Sequence, residues 1–155
     1  RIREIGEVER EGKMTNPKTE PRELTIHIPG KLPKELNPNW QPKSEWMLNI
    51  KAPAITDFKH RALIYSIHWR NKWEYENGES WVALAHSTIQ VTIIYSPRMK
   101  PWDSTNARGA LKYAEDSLVK ALIIQDDKPA NLTWQDILWE RGNDPEIVVV
   151  FKERS

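Results

Sequence analysis

The sequence has no cysteine, few glycines and no long hydrophobic run, and each absence excludes a class of protein. Without cysteine there is no disulfide framework, thiolate metal site or cysteine nucleophile. No apolar stretch approaches the ~18 residues that a membrane-spanning helix needs. The sequence also has no glycine-rich phosphate loop, dinucleotide-binding fingerprint or Ser-His-Asp order. Its charged beginning lacks the apolar core of a signal peptide, so we expect a cytoplasmic protein.

Positive and negative charges nearly balance over the 155 residues, with 23 Lys and Arg against 22 Asp and Glu. This balance excludes a histone-like polycation, but it is compatible with a local basic face that binds nucleic acid. The length suits one domain with one sizeable core. We assign residues 1–21 to a charged tail and residues 22–155 to the domain. The eight tryptophans are a high number, enough to supply both the core and stacking platforms.

Hydrophobic periodicity predicts an α+β fold in which a small mixed sheet packs with two main helices. The predicted order is β-α-β-α-β-β: a strand at 22–29, a helix at 53–75, a strand at 88–96, a helix at 106–123, and strands at 132–140 and 146–153. Residues 81–86 are a candidate early half of the second strand, and the proline-rich stretch 31–43 is predicted to be a loop. The turn at 141–145 predicts a hairpin between the last two strands.

The stretch 102–127 contains the candidate chemistry. Asp103 lies between a predicted strand and a predicted helix, and Asp126 and Asp127 follow the end of that helix. Carboxylates from two segments can converge on Mg²⁺, which prefers oxygen ligands. A metal held in this way activates water and stabilises the charge that develops on a phosphodiester. A nearby lysine such as Lys112 can neutralise the same charge.

The candidate DNA contacts are basic or aromatic residues around this stretch. Residues 97–112 contain four basic side chains and one acidic side chain, and the surplus continues in residues 31–75. Such a surplus beside an acidic site is typical of a phosphate-binding track. The candidates are Arg98, Lys100, Trp102, Arg108, Lys31 and Lys34.

A simpler interpretation of these residues stays open. Asp103 is also a suitable helix cap, and Lys112 and Asp116 are spaced as an ordinary exposed pair on one helix face. Trp102 is suited either to stack on an unpaired base or to pack beneath the loop. A third alternative, an unrelated carboxylate hydrolase such as a glycosidase, needs two acids ~5–10 Å apart in a sugar-sized cleft.

The motif as a whole resembles a known family. Asp103-Ser104-Thr105-Asn106, followed by Lys112, Asp116, Leu118 and Asp126-Asp127, is similar to the D-x-D-N…K…D-x-L…DD signature of the RusA-like Holliday-junction resolvases of bacteria and phages. The strand leading into Ile28-Pro29-Gly30 and the closing strand 147–151 also resemble that family. The resemblance covers residues 22–153, and its specific part is 103–127.

The resemblance implies a homodimer that binds four-way DNA junctions, each subunit cutting one strand with Mg²⁺, for which Mn²⁺ can substitute, and without a small-molecule cofactor. It implies a cytoplasmic location in a bacterial or phage-infected cell. Carried over by position, Asp103 and Asp127 are metal ligands and Lys112 is the essential cation. Asp126 is a ligand or a supporting group, Asn106 orients the site, and Asp116 faces the same site or the dimer partner.

One position departs from the family pattern. The second aspartate of the signature is replaced by Thr105, which removes a negative charge from the expected metal site. Either Asp116 or Asp126 compensates for the loss, or the protein binds DNA without cutting it. The second case is our alternative hypothesis, a junction-binding or DNA-binding protein on the same fold.

Overall fold

A computed structural model describes residues 20–45 and 49–154. The predicted tail 1–21 therefore lies almost wholly outside the described residues. The elements are β1 (Glu23–Pro29), a short 3₁₀ turn (Lys34–Leu36), α1 (Lys51–Asn77), β2 (Ser87–Tyr95), α2 (Ser104–Lys120), β3 (Leu132–Trp134), β4 (Leu138–Arg141) and β5 (Glu146–Glu153). The prediction of an α+β fold with a small mixed sheet and two helices is confirmed. In the described part of the chain, no helix is both long and apolar enough to cross a membrane.

The sheet is built around β5 and β2. Strand β5 pairs antiparallel with β1 on one side and with β2 on the other. The far edge of β2 pairs in parallel first with β3 and then with β4. Buried and less buried side chains alternate along β1, β2 and β5, because successive side chains of a strand point to opposite faces. The buried face, which includes Ile26, Val91 and Val149, forms the core with the helices.

The predicted last hairpin is wrong. The stretch 132–140 is divided into two short strands on one edge of β2, whereas β5 occupies the other edge. The connection therefore crosses the end of β2: the Gly142 amide donates to the Tyr95 carbonyl at 2.9 Å, and the Gly30 amide donates to the Pro145 carbonyl at 2.9 Å. A central strand needs hydrogen-bond partners on both edges, and this crossing provides them.

Residues 81–86 do not form the expected early half of β2. Trp81 is instead buried, and its ring meets the rings of Trp69 and Trp73 edge-on at 5.0 Å in each case. Leu84 makes an isolated parallel bridge with Ile124, in the chain that follows α2. Packing of this segment against α1 and the segment after α2 overrides the strand prediction, which its apolar composition had suggested.

The two helices differ from their predicted limits for local reasons. Helix α1 ends at Asn77, and Gly78 is its C-cap. Gly78 has a left-handed backbone (φ 68°), and its amide donates a hydrogen bond to the Glu74 carbonyl, which closes the last turn. Helix α2 begins after Asp103 and ends at Lys120, three residues before the predicted end. The reason is Leu122, which adopts φ 61°, while the Ile123 amide donates back to the Leu118 carbonyl. Leu122 is consequently 58% exposed, although it lies within the predicted helix 106–123.

The proline-rich loop is anchored beside both helices. Its Leu32 and Leu36 are buried in the core. Arg61 of α1 donates to the Lys31 carbonyl at 2.8 Å. Pro38 lies so close to α2 that a Cβ added at Gly109 would be 3.3 Å from the Pro38 Cγ atom. The loop is therefore fixed against the first turns of α2.

Candidate functional site

Asp103 begins α2 as its N-cap. Its carboxylate accepts a hydrogen bond from the Thr105 amide at 2.8 Å, which satisfies one of the otherwise unpaired amides of the first turn. Thr105 is exposed, and Asn106 is half-buried in the same turn. Trp102 packs half-buried against the core, as one of its two predicted roles requires. The capping bond uses one of the two oxygens of Asp103, so the carboxylate keeps acceptor capacity on the other.

The predicted DNA contacts belong to three segments that meet at one end of the molecule, which we call the basic end: loop 30–40, loop 96–103 and the first turns of α2. Loop 96–103 leaves the end of β2, and loop 30–40 packs on α2 at Gly109. The exposed residues here are Lys31, Lys34, Arg98 and Lys100, and Arg108 is half-buried. Separate segments of sequence thus contribute positive charge to one region.

Sequence reasoning missed Glu115, a carboxylate buried in the core with 3% of its surface exposed. The indole N–H of Trp134 donates to Glu115 Oε1. The guanidinium of Arg108 lies 3.5 Å from the same oxygen and 4.0 Å from the centre of the Trp134 ring. Glu115 lies four residues after Leu111 and three before Leu118, so it falls within the apolar stripe of α2. An acidic residue within the apolar stripe of a predicted helix was the sequence signal that could have identified Glu115.

Lys112 and Asp127 are among the charged residues that shift the pKa of Glu115. Burial raises the pKa of the Glu115 carboxyl, while Arg108, the Trp134 hydrogen bond and Lys112 lower it, and the negative charge of Asp127 raises it. Both Lys112 and Asp127 therefore act electrostatically on the same buried group. The chain after α2 returns to within electrostatic reach of Glu115, which brings the charge of Asp127 near the buried carboxylate.

Asp126 and Asp116 have partners of their own. Asp126 accepts hydrogen bonds from the Lys128 amide at 3.0 Å and from the Asn131 side-chain amide on both oxygens. The Asn131 bond is the main reason that the pKa of Asp126 is lowered. Asp116 lies 3.7 Å from the ammonium of Lys59 in α1. Asp126 thus stabilises the loop before β3, and Asp116 links the two helices.

Asp103 caps the start of α2, several turns before Glu115. The helix separates the Cα atoms of Asp103 and Glu115 by about 18 Å, whereas Asp127 acts on Glu115 itself. Among residues 20–45 and 49–154, no group of three or more His, Asp or Glu side chains is arranged to hold a metal ion. Of the expected trio, Lys112 and Asp127 act electrostatically on Glu115, and Asp103 caps α2 at the basic end.

Comparison with known proteins found no family model that matches the chain and no curated protein with significant similarity to it. The functional argument therefore depends on the residues and their geometry.

Proposed function

We propose that the protein is a Mg²⁺-dependent, structure-selective endonuclease that nicks four-way DNA junctions as a homodimer. The proposal is supported by the motif between Asp103 and Asp127 and by the basic end that surrounds its first part. This function is the one that the resemblance to RusA-like resolvases implies.

The observation that carries the proposal is that Lys112 and Asp127, which come from different segments, both act electrostatically on the buried Glu115. A lysine can supply a cation for phosphate, and a carboxylate can supply a ligand for a hard metal ion. The motif predicts that both residues belong to one site together with Asp103.

Asp126 and Asp127 differ in how well their carboxylates could coordinate Mg²⁺. Mg²⁺ often takes only one or two protein carboxylates, with water and substrate phosphate completing its coordination. Asp127 fits such a role, whereas both oxygens of Asp126 already accept hydrogen bonds from Asn131. A bound Mg²⁺ would supply an activated water at the phosphodiester. Lys112 would neutralise phosphate charge, and the residues of the basic end would hold the DNA backbone.

The test is incubation of a synthetic four-way junction with the protein and Mg²⁺. The proposed enzyme produces paired nicks at symmetric positions in opposite strands. The variant Asp127→Asn is expected to reduce nicking by at least about a hundredfold, because the loss of a ligand weakens the metal ion that activates the attacking water, and to retain junction binding.

The matched control is Asp57→Asn, which neutralises an exposed aspartate on α1 outside the candidate site. It should nick at the wild-type rate. Full nicking by Asp127→Asn would remove Asp127 from the mechanism, and absence of nicking by the wild type over a range of Mg²⁺ and Mn²⁺ concentrations would contradict the proposal.

A second candidate is a junction-binding protein that does not cut. Two observations favour it: Thr105 replaces an acid of the motif, and Asp103 lies about 18 Å along the helix from Glu115. The same assay separates the candidates, because this protein would bind the junction as tightly and leave all four strands intact.

A further inference from the structure

A cavity of about 320 Å³ lies beside the first turns of α2, at the basic end. Its size is within the range of small-ligand sites, about 300–1,000 Å³. The cavity is lined by Ser104, Thr105, Arg108, Trp134, Gln135, Asp136 and Ile137. Trp134 at the end of β3 and residues 135–137 between β3 and β4 have no part in the function proposed above.

Arg108 is held in place within this lining. Its guanidinium lies 4.0 Å from the centre of the Trp134 ring and 3.5 Å from the buried Glu115 carboxylate. Trp134 is itself fixed by its hydrogen bond to Glu115. A planar cation stacked on an indole, both attached to one buried acid, loses little conformational freedom when a ligand arrives.

The composition of the lining distinguishes between possible ligands. Arg108 and Asp136 contribute opposite charges, so the lining has no net positive charge to favour a free phosphate. The other groups are two hydroxyls, one amide, one indole and one aliphatic side chain. A nucleobase matches this set, because it has a π face for stacking and an edge of hydrogen-bond donors and acceptors.

We propose that this cavity receives one unpaired nucleobase of branched DNA, stacked on the Arg108–Trp134 pair, with Gln135 and Asp136 facing its polar edge. The proposal rests on the proposed function, since a DNA strand must lie on the basic end for a base to reach the cavity. Glu115 is a positioning residue here: it holds Arg108 and Trp134 and does not touch the base. Preference for branched DNA then follows, because a base pair at the branch point has lost continuous stacking and opens at a lower cost than a pair inside a duplex.

The experiment compares four-way junctions whose branch-point base pairs are either normal or replaced by abasic nucleotides in both strands, so that no unpaired partner base remains. Binding is measured by fluorescence anisotropy in EDTA at one fixed salt concentration. Loss of one stacked base weakens binding by about fivefold or more, so we expect the abasic junction to bind the wild type more weakly by that factor.

The informative variant is Gln135→Trp, which fills the cavity from an exposed position and leaves Trp134 and Glu115 intact. It should bind both junctions equally, at the level of the wild type with the abasic junction. The control Asn71→Trp adds the same side chain at an exposed position on α1 and should keep the difference between junctions. Equal affinity of the wild type for both junctions, or a difference that persists in Gln135→Trp, would overturn the proposal.

A second measurement separates this proposal from the proposed function. A single-stranded trinucleotide is titrated into ¹⁵N-labelled protein, and the Trp134 indole signal, assigned with Trp134→Phe, is expected to shift. A shift without any junction nicking supports the cavity and contradicts the endonuclease. Nicking without a shift, and without an effect of the abasic nucleotides, supports the endonuclease and contradicts the cavity.

Discussion

At the scale of single residues, Glu115 has the least ordinary environment of the described acids. It is buried among apolar side chains of α2 and the sheet, yet it has two polar partners from different segments. Removing the whole side chain would leave Arg108 and the Trp134 indole without their acceptor, which costs about 1–3 kcal/mol for an unsatisfied group. Glu115→Gln keeps an acceptor oxygen and isolates the charge.

Glu115→Gln should change how stability depends on pH. Burial raises the pKa of Glu115 in the folded protein above the ordinary value of 4.5. The folded state therefore binds more protons than the unfolded state above that pH, and the wild type loses stability as pH rises through the folded pKa. Glutamine does not titrate, so we expect the variant to gain stability relative to wild type over that window. Urea unfolding in EDTA at several pH values measures this difference.

Glu153→Gln provides a control of opposite sign. The hydrogen bonds and charge of Arg22 lower the pKa of Glu153, so its contribution is present above pH 4.5 and is lost as pH falls through the folded pKa. This variant should lose stability relative to wild type as pH rises from acid. The same direction of change in both variants would contradict the assigned environments.

Gly142 is required where the chain crosses the end of β2. A Cβ added there would lie 2.7 Å from the Ile94 Cγ2 atom, closer than packed carbon atoms approach. We expect Gly142→Ala to destabilise the fold by about 1–3 kcal/mol through overpacking. In an Ile94→Ala background the obstacle is absent, and Gly142→Ala should become neutral or stabilising, because Gly142 does not have a positive φ.

A double-mutant cycle by urea unfolding tests this contact. Gly78→Ala serves as the comparison, because its left-handed backbone is strained by any side chain although no atom lies within 4 Å. Its cost should be the same with and without Ile94. Additivity between Gly142→Ala and Ile94→Ala would contradict the close approach.

At the scale of elements, Arg70 connects the two helices. Its guanidinium, from α1, donates to the carbonyl of Ala121 at the end of α2 at 2.7 Å. A cation at this position satisfies an unpaired carbonyl and interacts favourably with the negative end of the helix dipole. The hydroxyl of Ser117 makes a second connection, donating to the Lys59 carbonyl at 2.7 Å.

We expect Arg70→Ala to lower the free energy of unfolding by about 1–3 kcal/mol, as for loss of a hydrogen bond from a charged donor. The control Lys72→Ala removes an exposed cation of the same helix and should stay within about 0.5 kcal/mol of wild type. Thermal and urea unfolding measure both variants. An Arg70→Ala protein as stable as the control would show that the α2 end does not need this partner.

These elements also show what the sequence could predict. Strand β1 and helix α2 follow from local periodicity, since Leu24, Ile26 and Ile28 alternate and the α2 stripe repeats at helical spacing. The division of 132–140 and the failure of the hairpin could not be predicted, because they depend on which edge of β2 remains available after β5 pairs. Long-range pairing of this kind leaves no local pattern.

At the scale of the whole molecule, the candidate metal site stays a prediction. The sequence identified Lys112, Asp127 and the basic residues as candidates, and the first two act electrostatically on the buried Glu115. The sequence could not predict which charged residues surround Glu115, because that depends on where the chain folds back after α2. Nor did it identify Trp134, whose partner Glu115 is remote in sequence.

The basic end makes a quantitative prediction about DNA binding. If the cations of loop 96–103 contact phosphates, each contact releases counterions and contributes about 0.9 to the slope of log affinity against log salt on duplex arms. Arg98→Ala combined with Lys100→Ala should therefore reduce that slope by about 2, with weaker binding at low salt.

The control combines Lys120→Ala and Lys152→Ala, which removes the same charge at the end of α2 and near the end of β5, away from loop 96–103. We expect this control to keep the wild-type slope. If both pairs lowered the slope equally, DNA would be attracted by overall charge alone, and the basic end would have no special part in holding it.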